Sequence, residues 1–200
     1  MVKTKIAVLV SGGGTNLQAL LDAQTAGKIP HGEIALVVSN KEGAYALTRA
    51  ENFGVKHMVI TGRDFEARLQ DALTENGIQM IVLAGFMKIL SADFTAKWPE
   101  RILNIHPALI PSFCGEGYYG LRVHEEALRY GVKVTGATVH FVNEIPDGGR
   151  IIAQKAVDIL DGDTPEVLQR RVMEQAEWIL LPQAVEKVAA YYAAAGKNEL

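Results

Sequence analysis

In the run Leu103-Asn104-Ile105-His106-Pro107, an amide and an imidazole stand two residues apart on what reads as the end of a buried strand. Strand side chains alternate, so Asn104 and His106 share one face while Leu103 and Ile105 pack on the other. Pro107 brings no ladder donor and ends the strand. A hydrogen-bonding amide and a proton-handling imidazole are thus presented at a strand end, where open α/β sheets bind ligands. Taken alone, the pair fits a satisfied His and Asn at a strand terminus equally well, because a site needs further groups.

A second candidate is Ser11-Gly12-Gly13-Gly14-Thr15-Asn16, between a first strand and a first helix. Glycines let a backbone approach a ligand closely, and the unpaired N–H groups and dipole of a helix start favour an anion. Thr15 or Asn16 can cap that helix and donate to the same ligand. The run lacks the Gly-Lys-Ser/Thr of a P-loop, and Leu17 stands where a dinucleotide fingerprint needs its third glycine, so a monophosphate fits better than a pyrophosphate. Asp147, in Pro146-Asp147-Gly148-Gly149, offers a carboxylate, although Asp-Gly is also a strong hairpin-turn signal. His140 shares a face with Thr138 and fits a core histidine with a hydrogen-bond partner, while His124 opens a helix and fits a surface or capping position. No pair among His106, His124, His140 and Asp147 has close zinc-ligand spacing. Cys114 has no nearby His in sequence to activate it as a nucleophile. The residues therefore supply a phosphate cradle, a polar strand end and a candidate carboxylate without defining a reaction.

The elements that must position these groups follow from periodicity. Strand-length apolar runs alternate with helical segments: Lys5–Val10 then a helix to about Gly27, Glu33–Ser39 then Ala44 to about Phe53, Val55–Ile60 then Asp64–Asn76. Met80–Phe86 is wholly apolar and reads as the central strand, covered on both faces. A short helix after Ser91 leads into an Arg101–His106 strand. Pro107–Gly120, with two prolines and three glycines, reads as a functional loop, and a helix from Arg122 to Tyr130 follows. Val134–Val142 and Ile151–Leu160, joined through Pro146–Gly149, read as an antiparallel hairpin. A final helix from about Thr164 to Tyr192 should kink or divide at Pro182, and the Ala193–Lys197 tail should fray. The expected fold is α/β: an open, mostly parallel twisted sheet with helices on both faces and an antiparallel hairpin extension near the C-terminus, forming one domain over residues 1–200.

Composition narrows the class. The 200 residues are 48% hydrophobic and 22% charged, as in ordinary globular proteins, and the net charge of −3 argues against nucleic acid as the main partner. A single cysteine cannot form an internal disulfide, and no signal-peptide core or membrane-spanning run is present, which points to the cytoplasm.

Ser11-Gly-Gly-Gly-Thr-Asn-Leu-Gln18, Leu83-Ala-Gly-Phe-Met-Lys-Ile-Leu90, Asn104-Ile-His-Pro107, Gly136-Ala-Thr-Val-His140 and Asp147-Gly-Gly149 occur in the order found in the phosphoribosylglycinamide formyltransferases. The chain resembles that family from near residue 5 into the last helix. The resemblance implies transfer of a formyl group from 10-formyltetrahydrofolate, as co-substrate, to the amine of glycinamide ribonucleotide in purine biosynthesis, with no metal. It implies Asn104, His106 and Asp147 as the catalytic trio. Amine attack on a formyl carbon creates an oxyanion, and donors aimed at it are worth ~10²–10³ each in other acyl-transfer sites. Asn104 can donate through its amide and His106 when protonated, and a carboxylate at Asp147 would raise the imidazole pKa and hold that charged form.

By the same resemblance, Gly13, Gly14, Thr15, Asn16 and Leu17 hold the substrate phosphate, and Glu177 lies near its sugar. Arg63, Met87, Lys88, Ile89, Leu90, Asn104, Asn143, Glu144 and Asp147 form the folate-binding region, with the 143–147 loop closing over the pterin. The N-terminal half would carry the phosphate-binding βαβ units and the C-terminal half the folate-binding and catalytic loop. Small-molecule substrates are the implied partners, and a monomer or weak homodimer the implied assembly. The chain departs from the family in the long loop Ser112–Gly120, in Arg122 where some members place a histidine, and in Trp178 where histidine is frequent. A formyltetrahydrofolate hydrolase shares the trio but carries an extra N-terminal domain, for which a strand starting at residue 5 leaves no room. A methionyl-tRNA formyltransferase needs a further C-terminal domain and a basic surface. A non-catalytic phosphosugar-binding module is the remaining alternative.

Overall fold

Alternation along β1 (Thr4–Val10) sets the layering: Ile6, Val8 and Val10 join one core cluster, while Ala7 and Leu9 join the other. The computed structural model describes residues 2–195. Seven strands form one sheet in the order β3 (His57–Val59), β2 (Gly32–Ser39), β1, β4 (Met80–Leu83), β5 (Ile102–His106), β6 (Val134–Phe141), β7 (Ile151–Asp158). Neighbours from β3 to β5 pair in parallel, and β5–β6 and β6–β7 pair antiparallel. The wholly apolar β4 lies at the middle of the sheet and is buried at all four residues, as two covered faces require.

Helices α1 (Thr15–Thr25), α2 (Tyr45–Asn52), α6 (Pro165–Val172) and α7 (Trp178–Ala194) contribute to the core on one face. Helices α3 (Phe65–Glu75) and α4 (Ala92–Thr95) contribute on the other, with Trp98. Helix α5 (Leu121–Tyr130) packs beside α6. Ser91 caps α4 by accepting the Phe94 N–H, which fixes where that short helix begins. No helix among the described residues is long and apolar enough to cross a membrane.

Three boundaries differ from the sequence reading. Strand β4 stops at Leu83 rather than Phe86, because Gly85 turns the chain with φ of 70°. Strand β3 is only three residues long. The last helical stretch does not divide at Pro182, which lies inside α7; the discontinuity is a π-helical turn at Met173–Glu177. Pro182 falls near the start of α7, where the missing donor costs a single bond to the Trp178 carbonyl. Helix α7 continues to Ala194, and the remainder of the tail, from Gly196, lies outside the described residues.

The chain order reverses between β1 and β4, since β2 and β3 follow β1 on one side while β4 and β5 extend the other. Such a switch point opens a crevice beyond the carboxyl ends of the strands. Ser11 ties its two walls together, accepting the Met87 N–H at 2.8 Å and donating to Asn40 Oδ1 at 2.6 Å.

Candidate active site

A cleft of about 890 Å³ runs along the ends of β1, β4 and β5. Its walls include residues 11–16, 83–90, Asn104, His106, loop residues 115–120 and 142–147, and Glu177. Met87, Lys88, Ile89, Leu90, Asn143 and Glu144 therefore share one cleft with the polar end of β5. Arg63 does not line it. Lys88 does, and its ammonium lies 4.6 Å over the Phe65 ring, which in turn stacks on Phe86. The cations on the cleft wall are Lys41 and Lys88.

The glycine wall owes its shape to α2. A Cβ on Gly14 would come within 2.6 Å of the Ala46 Cβ, and φ of 71° there favours glycine as well. Gly12 accepts the Ala46 N–H, and Gly13 accepts from Arg49 Nε at 2.8 Å. Gly12 and Gly13 have open space where a side chain would be, so an approaching group meets backbone. The first N–H groups of α1 are left for a ligand, as at any helix start. Neither Thr15 nor Asn16 caps α1, contrary to the sequence reading; Gly14 holds that position. Asn16 turns instead to the π-helical turn, donating Nδ2–H to Glu177 Oε2 at 2.6 Å. Its Oδ1 is buried with no partner among the described residues, and burial pushes the Glu177 carboxyl up. Leu17 is fully buried in the core, so only its backbone can face a phosphate.

Three distant stretches converge at the end of β5. His106 Nδ1 lies 3.4 Å from Asp147 Oδ2, and Asn104 Nδ2 lies 3.4 Å from Asp147 Oδ1. Asp147 sits on the turn between β6 and β7 with φ of 56°, a left-handed conformation that Asp tolerates. The long loop closes on the same groups: the Gly115 N–H donates to Asp147 Oδ2 at 2.9 Å, and the Phe113 carbonyl is 2.8 Å from His106 Nε2. A carbonyl can only accept, so Nε2 carries a proton, and in the neutral ring the Nδ1 lone pair faces Asp147.

The expected protonation of His106 is reversed. Burial lowers its pKa and outweighs the upward pull of Asp147 and the Phe113 carbonyl, so the resting imidazole is neutral. Burial works to raise the Asp147 carboxyl, but the rings of His140 and His106 and the Gly115 N–H outweigh it and hold the group below the ordinary carboxylate range. Among the described residues, no three His, Cys, Asp or Glu side chains are grouped as metal ligands.

His124 is also placed differently from its surface or capping reading. It lines the cleft with 0% exposure, and both ring nitrogens lack partners among the described residues. Burial, assisted by His106, lowers its pKa from 6.5 to about 4. The unfolded chain therefore takes up a proton first as pH falls, and the native state loses stability between pH 6.5 and about 4, by about 3 kcal/mol for a shift of this size. Denaturant melts across that range should show the loss, and His124→Leu should flatten it; identical slopes would remove His124 as the cause.

An open, doubly wound sheet with amide, imidazole and carboxylate beside a glycine-lined helix start defines an α/β protein equipped for acyl-type group transfer. The chain belongs to the formyl transferase family, whose model matches residues 4–185. It is similar to the phosphoribosylglycinamide formyltransferase of Haemophilus influenzae, 42% identical over 91% of this chain and 85% of that one. A solved glycinamide ribonucleotide transformylase 1 from Symbiobacterium toebii superposes with a TM-score of 0.87 at 41% identity, covering 94% of this chain and 89% of the other. The trifunctional purine biosynthetic protein adenosine-3 of Gallus gallus is 46% identical over 94% of this chain, which spans only 19% of that longer protein.

Proposed function

We propose that this chain is a phosphoribosylglycinamide formyltransferase. It transfers the formyl group of 10-formyltetrahydrofolate to the amine of N1-(5-phospho-D-ribosyl)glycinamide, giving formylglycinamide ribonucleotide and tetrahydrofolate in de novo purine biosynthesis. The observation that carries the reading is the meeting of Asn104, His106 and Asp147 from β5 and the β6–β7 turn, on the cleft that also exposes Gly12 and Gly13.

The cleft suits both ligands. Gly12, Gly13 and the start of α1 supply backbone donors for a phosphate, with Lys41 on the same wall, and Asn16 and Glu177 line the cleft beside them as polar partners for the sugar. Exposed Met87, Ile89 and Ile145 offer apolar surface to a flat heterocycle. In the reaction, the amine nitrogen bonds to the formyl carbon, the carbon–folate nitrogen bond breaks, and the proton leaving the amine ends on that folate nitrogen. Asn104 directs an amide N–H at the oxygen where charge develops. Neutral His106 accepts the amine proton on Nδ1, and Asp147 then faces an imidazolium that it stabilises while the proton is passed on.

Formyl transfer to glycinamide ribonucleotide, measured with the purified protein, tests the reading directly. Formate release to water alone would favour a hydrolase, for which the glycine wall has no evident use. Phosphosugar binding without turnover would leave a binding module. In the same assay Gly13→Val, whose side chain enters open space, should raise the KM for the phosphorylated substrate at least ~10-fold and leave the folate KM unchanged. Equal increases in both would misplace the phosphate.

A further inference from the structure

We propose that His140 is the positioning residue for Asn104: its ring fixes which end of the Asn104 amide faces the reacting formyl group. The inference rests on the reading of Asn104 as the oxyanion donor and extends it to a buried residue of the cleft wall.

The antiparallel register of β5 and β6 sets His140 directly opposite Asn104, on the same face of the sheet. The β6–β7 pairing is irregular between Val139 and His140, the kind of local defect that re-aims a side chain. His140 is 1% exposed, so its ring has little freedom. Its Nδ1 lies 2.7 Å from the Phe141 carbonyl, an acceptor only, so Nδ1 bears the proton. Its Nε2 lies 3.1 Å from Asn104 Nδ2 and 3.4 Å from Asp147 Oδ1.

The Asn104 amide has one end with two hydrogens and one with two lone pairs. An ionised Asp147 accepts only, so the end 3.4 Å from its Oδ1 is the NH2. The same nitrogen is the nearer neighbour of His140 Nε2, which must therefore present a lone pair. The Phe141 carbonyl, the Asn104 amide and the Asn104–Asp147 contact fit one tautomer, with His140 protonated on Nδ1 and accepting from Asn104 on Nε2; the longer approach of Nε2 to Asp147 Oδ1 then carries no hydrogen bond. One amide hydrogen is held by His140, and the second makes only the longer contact to Asp147. That second hydrogen is the one free to move to the oxyanion. An amide rotated by 180° would set an oxygen against both the carboxylate and the developing negative charge.

The test compares Asn104→Ala, His140→Leu, His140→Gln and the Asn104→Ala/His140→Leu pair. His140→Leu should lower kcat about 10–100-fold with KM for both substrates nearly unchanged. His140→Gln, which restores an acceptor oxygen, should recover most of the loss. Adding His140→Leu to Asn104→Ala should cost nothing further. Full additivity in the pair, a loss in KM alone, or a glutamine no better than leucine would overturn the proposal. Wild-type rate in Asn104→Ala would remove the oxyanion reading beneath it, whereas an impaired Asn104→Ala beside an unimpaired His140→Leu would sink the positioning role alone. The ring 15N shifts of His140 in the wild-type protein give a readout independent of any variant's folding: a protonated Nδ1 and an unprotonated Nε2 are expected, and a protonated Nε2 overturns the assignment.

Discussion

Replacing His106 by alanine is expected to lower kcat by about 10²–10⁴-fold while both substrates still bind, the range lost when a positioned acid–base group is removed. The ring is 4% exposed, with one nitrogen held by the Phe113 carbonyl and the other turned to Asp147. His140 does not substitute from the same place, since its Nδ1 faces the Phe141 carbonyl and its Nε2 the Asn104 amide. Because burial lowers the His106 pKa, its working neutral form persists to lower pH than in an ordinary histidine. In the wild type, kcat/KM should fall on the acid side with a pKa below the ordinary histidine value, and that limb should vanish in His106→Ala. The alanine variant also leaves the Phe113 carbonyl without its donor, so thermal melting must accompany kinetics to separate lost chemistry from a loosened 112–120 loop. A folded variant turning over at the wild-type rate would remove His106 from the mechanism.

What sequence alone reveals, and what it misses, divides by range. Alternation told that Asn104 and His106 share a face, because period-2 geometry is local, and Leu103 and Ile105 indeed enter the opposite core cluster. The parallel sheet with an antiparallel end follows from strand spacing and the Asp-Gly turn. Backbone partners, by contrast, leave no trace in residue type. The Phe113 carbonyl on His106 and the Gly115 N–H on Asp147 could come from any residue in that loop, so the loop's part in closing the site is invisible until the chain is folded. The protonation of His106 escapes for a related reason: Asp147 is readable as a partner, whereas the depth of burial that outweighs it is a property of the whole packing. His140 was within reach. An antiparallel pairing of the 102–106 and 134–141 runs, once aligned, puts it across from Asn104.

Gly149→Ala is expected to cost about 1–3 kcal/mol of stability and to cut turnover about 10²-fold, more than any effect on either substrate's KM. The reason lies in where the β6–β7 turn touches down. A Cβ on Gly149 would sit 1.8 Å from the Phe141 carbonyl oxygen and 2.7 Å from its carbon, both backbone atoms with no flexible end to yield. That oxygen is the acceptor that holds His140, and the Phe141 N–H is bonded to the Arg150 carbonyl on the other side of the turn. Room for one methyl group can be made only by opening the hairpin there, which moves Asp147, two residues earlier, away from His106 and Asn104. The second glycine of Asp147-Gly-Gly149 is thus needed for close approach rather than for a left-handed backbone, since its φ lies outside that region. Three groups depend on this one contact: the carboxylate, the His140 ring, and through that ring the Asn104 amide. Kinetics and denaturant melts on Gly149→Ala, set beside Asp147→Asn, check the point. If the alanine variant melts like the wild type and keeps its rate, the turn is not braced on Phe141, and the coupling of Asp147 to the far side of the site through the hairpin is wrong.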